Sequence, residues 1–141
     1  MANLTYEWIR PQMGDLPVAR GLSIPCKANV KVFGGGVVGI QTADGYGRAW
    51  AATDRVAGIA AKTVDNTGGA AADKTIEVLR GAFPFKNDTG GNAVTQADVM
   101  TLVYIKDDQT ATKDNASGVY LGLCVGIMPN GQPIVEVGYG R

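Results

Sequence analysis

Apolar side chains along this chain recur every second residue or in short continuous runs, each closed by glycine, asparagine, aspartate or proline. A period of two marks strands with one buried face, and short bounded runs fit strands buried on both. Val30 and Val32 alternate with Lys31 and Phe33, a strand follows over 36–42, and Ala43-Asp44-Gly45-Tyr46-Gly47 reads as its turn. Residues 48–53 and 56–64 are alanine-rich and open to helix or strand; Gly58, Ile59, Thr63 and Val64 favour strand. Residues 74–80 alternate cleanly, with Ile76 and Val78 against Thr75, Glu77 and Leu79. Phe83-Pro84-Phe85 reads as an edge piece, because Pro84 has no N–H to give a ladder.

Two loops carry Gly-Gly pairs, at 65–73 and 87–92. Thr95-Gln96-Ala97-Asp98 has the spacing of a capping box and predicts a single helical turn. Strands are expected over 102–106, 119–128 and 134–137, with a polar, hairpin-like stretch over 107–117. Asn130-Gly131 between two apolar runs is the strongest hairpin signal present. In the long strand Leu121, Leu123, Val125 and Ile127 are expected on the core face, and Gly122 and Gly126 beside Cys124 on the other, where a neighbouring backbone can approach. The expected fold is all-β, a small barrel or sandwich of short antiparallel strands over residues 26–141. Residues 1–25 read as an extended N-terminal arm, since Pro11, Pro17 and Pro25 oppose a helix or a central strand. Within it Leu4, Tyr6 and Trp8 alternate with Thr5 and Glu7, which suits either addition to another protein's sheet or a terminal strand on the chain's own body.

Composition narrows the function more than the fold. The 141 residues include no histidine, so the usual general base and the commonest metal ligand are missing. Thirteen basic and thirteen acidic residues leave no cationic footprint for nucleic acid or anionic lipid. The first eight residues lack the basic and apolar regions of a secretory signal, and no apolar run reaches the ~20 residues of a membrane span. Cys26 and Cys124 match no zinc spacing; a buried, reduced thiol is the ordinary reading of Cys124, with a bridge between the two as the alternative. The sequons at Asn3, Asn87 and Asn115 read as turn residues.

Two motifs invite catalytic readings. Gly34, Gly36 and Gly39 satisfy G-x-G-x-x-G, with Asp54 twenty residues beyond Gly34, but a strand and a turn follow where dinucleotide binding needs a helix N-terminus. A glycine bend is the better account. Asp88-Thr89-Gly90 is the triplet of homodimeric aspartic proteases, in which two carboxyls share a proton. Here it follows Lys86-Asn87, so Asp88 is expected to be solvated, with an unshifted pKa. Asp107, Asp108 and Asp114 lack calcium-loop spacing. No catalytic residue, cofactor or metal is expected.

From Arg55 onward a longer pattern accumulates: Ala57-Gly58-Ile59-Ala60, Leu79-Arg80-Gly81-Ala82-Phe83, Val94-Thr95-Gln96-Ala97-Asp98, then Val103-Tyr104-Ile105-Lys106-Asp107-Asp108-Gln109-Thr110-Ala111-Thr112. Tyr120-Leu121-Gly122-Leu123-Cys124-Val125-Gly126 and Ile134-Val135-Glu136-Val137 close it. In texture and order this resembles the bacteriophage capsid cement, or head decoration, proteins. The resemblance implies a non-enzymatic virion protein, made in the host cytoplasm. It would bind the major capsid (coat) protein on the outside of an expanded head, commonly as a homotrimer, and hold the shell against packaged DNA. It leaves Leu4, Tyr6 and Trp8 as candidate capsid contacts. Family members often have glycine where Met100 stands, so the turn there is expected to differ. The rival readings are a free-standing binding module for carbohydrate or within a phage tail, and an aspartic protease using Asp88.

Overall fold

The computed structural model describes residues 21–138, and they form an all-β body of antiparallel sheets with two short 3-10 turns. A five-stranded sheet contains β1 (Gly21–Pro25), β3 (Val37–Ile40), β4 (Gly47–Ala49), β5 (Arg55–Ala60) and β7 (Thr75–Leu79), in the order β1-β7-β5-β3-β4. A six-stranded sheet contains β8 (Gly81–Pro84), β9 (Lys86–Asn87), β10 (Leu102–Asp107), β11 (Thr110–Thr112), β12 (Tyr120–Ile127) and β13 (Pro133–Val137), in the order β8-β13-β12-β10-β11-β9. A ribbon of β2 (Lys31–Val32) and β6 (Val64–Asp65) completes the set. Only the β9–β11 pair within these strands is parallel. The strand orders place β1, β4, β8 and β9 at the ends of their sheets, and in the five-stranded sheet the two ends meet where Cys26, directly after β1, bridges Gly47 of β4.

Two cores explain the sequence pattern. Val37 and Ile59 of the five-stranded sheet pack with Val103, Ile105, Leu121, Cys124, Val135 and Val137 of the six-stranded one. Their chain neighbours Val38 and Ala60 point the other way, into a second cluster with Ile76, Val78 and the ribbon's Val32 and Val64. The continuous apolar runs of β3 and β5 are therefore buried on both faces, whereas β7 buries Ile76 and Val78 and turns Thr75, Glu77 and Leu79 outward.

Gly21–Pro25, placed at the end of the arm by the sequence, is an edge strand, with Gly21 opposite Leu79 and Pro25 opposite Thr75. An edge accommodates Pro25, and Pro84 likewise sits in β8 at the edge of the other sheet. Residues 1–20, with the arm's Leu4, Tyr6 and Trp8, lie outside the described residues.

The long strand departs from the expected alternation. Val103 opposes Gly122 while Tyr104 opposes Tyr120, so Leu121 is an extra residue, a bulge. Both Leu121 and Cys124 consequently reach the core, and Leu123 and Val125 are left only half-buried. The expected approach of a neighbouring backbone holds at Gly122, where a Cβ would collide with the Glu136 carbonyl oxygen. The Asn130-Gly131 hairpin is present. Met128 and Gln132 pair across it, and Gly131 takes the left-handed φ of 88° that ends a three-residue loop. The Thr95–Asp98 capping box also forms, its carboxylate accepting the Thr95 N–H at 2.7 Å and the Thr95 hydroxyl at 3.0 Å.

Candidate functional site

Among the described residues, Asp54 and Asp88, the carboxylates of the two catalytic-looking motifs, are held in ion pairs within the fold, and besides these there is an apolar sheet face. Residues directly opposite one another in a ladder share a face. One rung across the outside of the six-stranded sheet is Ala82, Glu136, Leu123 and Leu102; the next is Pro84, Ile134 and Gly126. Tyr104 and Tyr120 continue the face beside Leu102, their rings stacked with centroids 4.5 Å apart. Leu102 is 40% exposed, and Met100, just before β10, is 66% exposed. On a solvated sheet face these positions would alternate to polar residues. Here Glu136 is the charged residue on the two rungs, and Leu123, Ile134, Tyr104 and Tyr120 stay half-buried beside it.

One border of that face is an ionic clasp built on the protease-like triplet. The Asp88 carboxylate accepts Lys106 Nζ at 2.9 Å, the Thr112 hydroxyl at 2.7 Å and the Thr89 N–H at 2.8 Å. Its side chain is 7% exposed, so the expected solvated aspartate is corrected. Lys106, Thr112 and the Thr89 N–H together depress its pKa from 3.8 to about 2. A proton-sharing dyad requires a carboxyl held partly neutral, and these three donors do the opposite. Thr112 belongs to β11, which the sequence reading absorbed into a polar hairpin. Thr110, Ala111 and Thr112 are all buried, and the alternating β-branched threonines were the available signal. Asn87, one of the sequon positions, staples the same loop by donating to the Val94 and Gly131 carbonyls and accepting the Val94 N–H.

The dinucleotide-like glycines serve a similar internal purpose. Gly34 and Gly36 precede a strand, β3, and Gly39 lies within it, where a Cβ would lie 2.8 Å from the Asp54 Cβ. Asp54 is 2% exposed and held by Arg48 through two bonds of 2.7 and 2.9 Å, while its carbonyl accepts the Trp50 indole N–H at 2.7 Å. The residue that would hold a ribose in a dinucleotide site is thus the anchor of a structural ion pair. Cys26 and Cys124 are free and buried in different clusters, and burial raises both thiol pKa values.

A second concave region was missed by the sequence reading. Phe33, 62% exposed, lines a cleft of about 400 Å³ with Gly34, Gly35, Gly36, Asp108 and Gln109. Lys31 Nζ lies 4.9 Å from the Phe33 ring centroid. Aromatic, carboxylate and amide groups come together there.

The turn before β10 is also informative. Met100 adopts a left-handed φ of 68°, and its N–H donates to the Cys124 carbonyl at 2.6 Å. The conformation is the one a glycine would take, so the turn keeps a glycine's geometry despite the methionine. Among the described residues no group of His, Cys, Asp and Glu is arranged to hold a metal ion, and no helix is long and apolar enough to cross a membrane. Comparison with protein-family models, curated proteins and solved structures returns no match for this chain.

Proposed function

We propose that this protein is a structural, non-enzymatic decoration protein of a bacteriophage head, binding the coat protein on the outside of the expanded shell. The observation that carries this reading is where the arm enters the body. Residues 1–20 precede β1, an end strand of the five-stranded sheet that meets β4 only just beyond its C-terminal end, at Cys26. Strand addition to a partner at a sheet edge supplies main-chain bonds without any catalytic group. The apolar outer face of the other sheet supplies further contact area, and the order of elements in the resemblance supports the same role. Under this reading Leu4, Tyr6 and Trp8 contact the coat, and copies associate as a homotrimer.

The energetic requirement is modest. A protein that binds only the intact shell stabilises it by RT ln(1 + [L]/Kd), about 3 kcal/mol per site at a hundred times Kd. Summed over many sites, a weak contact per copy suffices. The test is co-sedimentation of the purified protein with undecorated shells in unexpanded and expanded form. Saturable binding to expanded shells is expected, weakened by deletion of residues 2–10; binding to neither form would refute the proposal.

The Phe33 cleft favours one second reading, a carbohydrate-binding module. A glycan-array hit abolished by Phe33→Ala would support it.

A further inference from the structure

We propose that in the free protein the arm segment Leu4–Trp8 packs in cis on the outer face of the six-stranded sheet, covering Leu102, Leu123, Tyr104 and Ile134. This goes beyond the decoration reading and does not depend on it. The face is apolar on β10 and β13, strands that otherwise alternate correctly. β10 turns Val103 and Ile105 into the core, yet puts Leu102 and Tyr104 outside where polar residues are expected. On β7, by contrast, two of the three outward positions are polar, Thr75 and Glu77, and Leu79 is the third. A face of this kind needs a cover.

The length of chain before β1, and the point where it joins, identify the occupant. Gly21 lies opposite Leu79, and two residues later, at Gly81, the chain enters β8, the edge strand of the apolar face. The arm therefore joins the body beside the border of the surface it would cover. Residues 9–20 span up to about 40 Å when extended. Six strands at a spacing of about 4.8 Å are only about 24 Å across. Pro11 and Pro17 favour an extended course for that connection. Leu4, Tyr6 and Trp8 fall on one side of a period-two segment and present three large apolar groups to a face of matching character. On a shell, where the decoration reading assigns these side chains to the coat, the arm would exchange one apolar surface for another.

The experiment places a photo-crosslinking amino acid at position 102 of the full-length free protein, in an equal mixture of isotopically heavy and light chains. Trypsin releases the arm as residues 1–20, because Arg10 precedes Pro11. Crosslinks joining this peptide to its own chain through residues 4–8 are expected. Mixed heavy–light crosslinks would show a second copy as the occupant and overturn the cis assignment, as would the absence of any arm crosslink. An independent readout uses Trp8. Trp50 is only 7% exposed, so a change in acrylamide quenching reports Trp8. Leu102→Ser should raise quenching at least twofold with unchanged far-ultraviolet circular dichroism. If quenching is already maximal in the unaltered protein, Trp8 is solvated and the proposal fails.

Discussion

The two sheets spend their hydrophobic residues differently. In the five-stranded sheet, β3 and β5 are apolar on both sides because each side has a cover: the six-stranded sheet on one, the β2–β6 ribbon on the other. In the six-stranded sheet, β10, β12 and β13 are also apolar on both sides, but among the described residues one of those sides faces outward. The same local pattern therefore means a closed interior in one place and an interaction surface in the other. Only the tertiary partner of each face distinguishes them.

That difference predicts where substitutions hurt. The largest effect belongs to the closed sheet. Asp54→Ala leaves Arg48 without its partner beside Gly39 and β3, where the Asp54 side chain is 3% exposed. Breaking such a buried pair should cost about 3 kcal/mol, read as a lower urea midpoint with an unchanged slope. A cost below 1 kcal/mol would mean that the pair is solvated and the sheet less closed than described.

Next is Gly122→Ala on the inner side of the six-stranded sheet, where the added methyl meets the Glu136 backbone carbonyl. Because β12 and β13 must separate to admit it, a loss of about 2 kcal/mol is expected in thermal unfolding. At the entrance to β10 the expected sign reverses. Met100→Gly removes the left-handed strain of an exposed side chain and should stabilise by about 1 kcal/mol. A destabilised Met100→Gly variant would show that the methionine side chain contributes more than its backbone costs.

How much of this was legible beforehand follows from the same contrast. The Asn130-Gly131 hairpin, the Thr95–Asp98 box, the edge prolines and most strand positions depend on nearest neighbours in sequence and are found, although the 56–64 segment divides into β5 and β6. The course of β12 was misjudged because its bulge at Leu121 is set by pairing with β10, which periodicity along one strand does not encode. β11 was missed because its threonines become buried only when the Asp88 loop folds over them. The Asp88 environment was misjudged for the same reason: Lys106 and Thr112 are remote in sequence, so a triplet in a polar loop looked solvated. The apolar outer face was present in the letters Leu102, Tyr104, Leu123 and Ile134. Without knowing which sheet covered which, Leu123 read as core and the other three carried no assigned face.

The smallest effect appears only in acid. With its pKa depressed to about 2, Asp88 contributes stability that is complete above the ordinary value of 3.8 and is lost as pH falls from there towards 2. Asp88→Asn removes that contribution, so its urea midpoint should fall less between pH 4 and pH 2 than that of the unaltered protein. Parallel curves would show that the clasp beside the open face is not formed in solution.

The most direct test of the decoration proposal is the melting temperature of expanded, undecorated shells measured against increasing concentrations of this protein. Binding to the intact shell alone predicts a melting temperature that climbs with the logarithm of concentration once Kd is passed. A melting temperature unchanged at every concentration would contradict it.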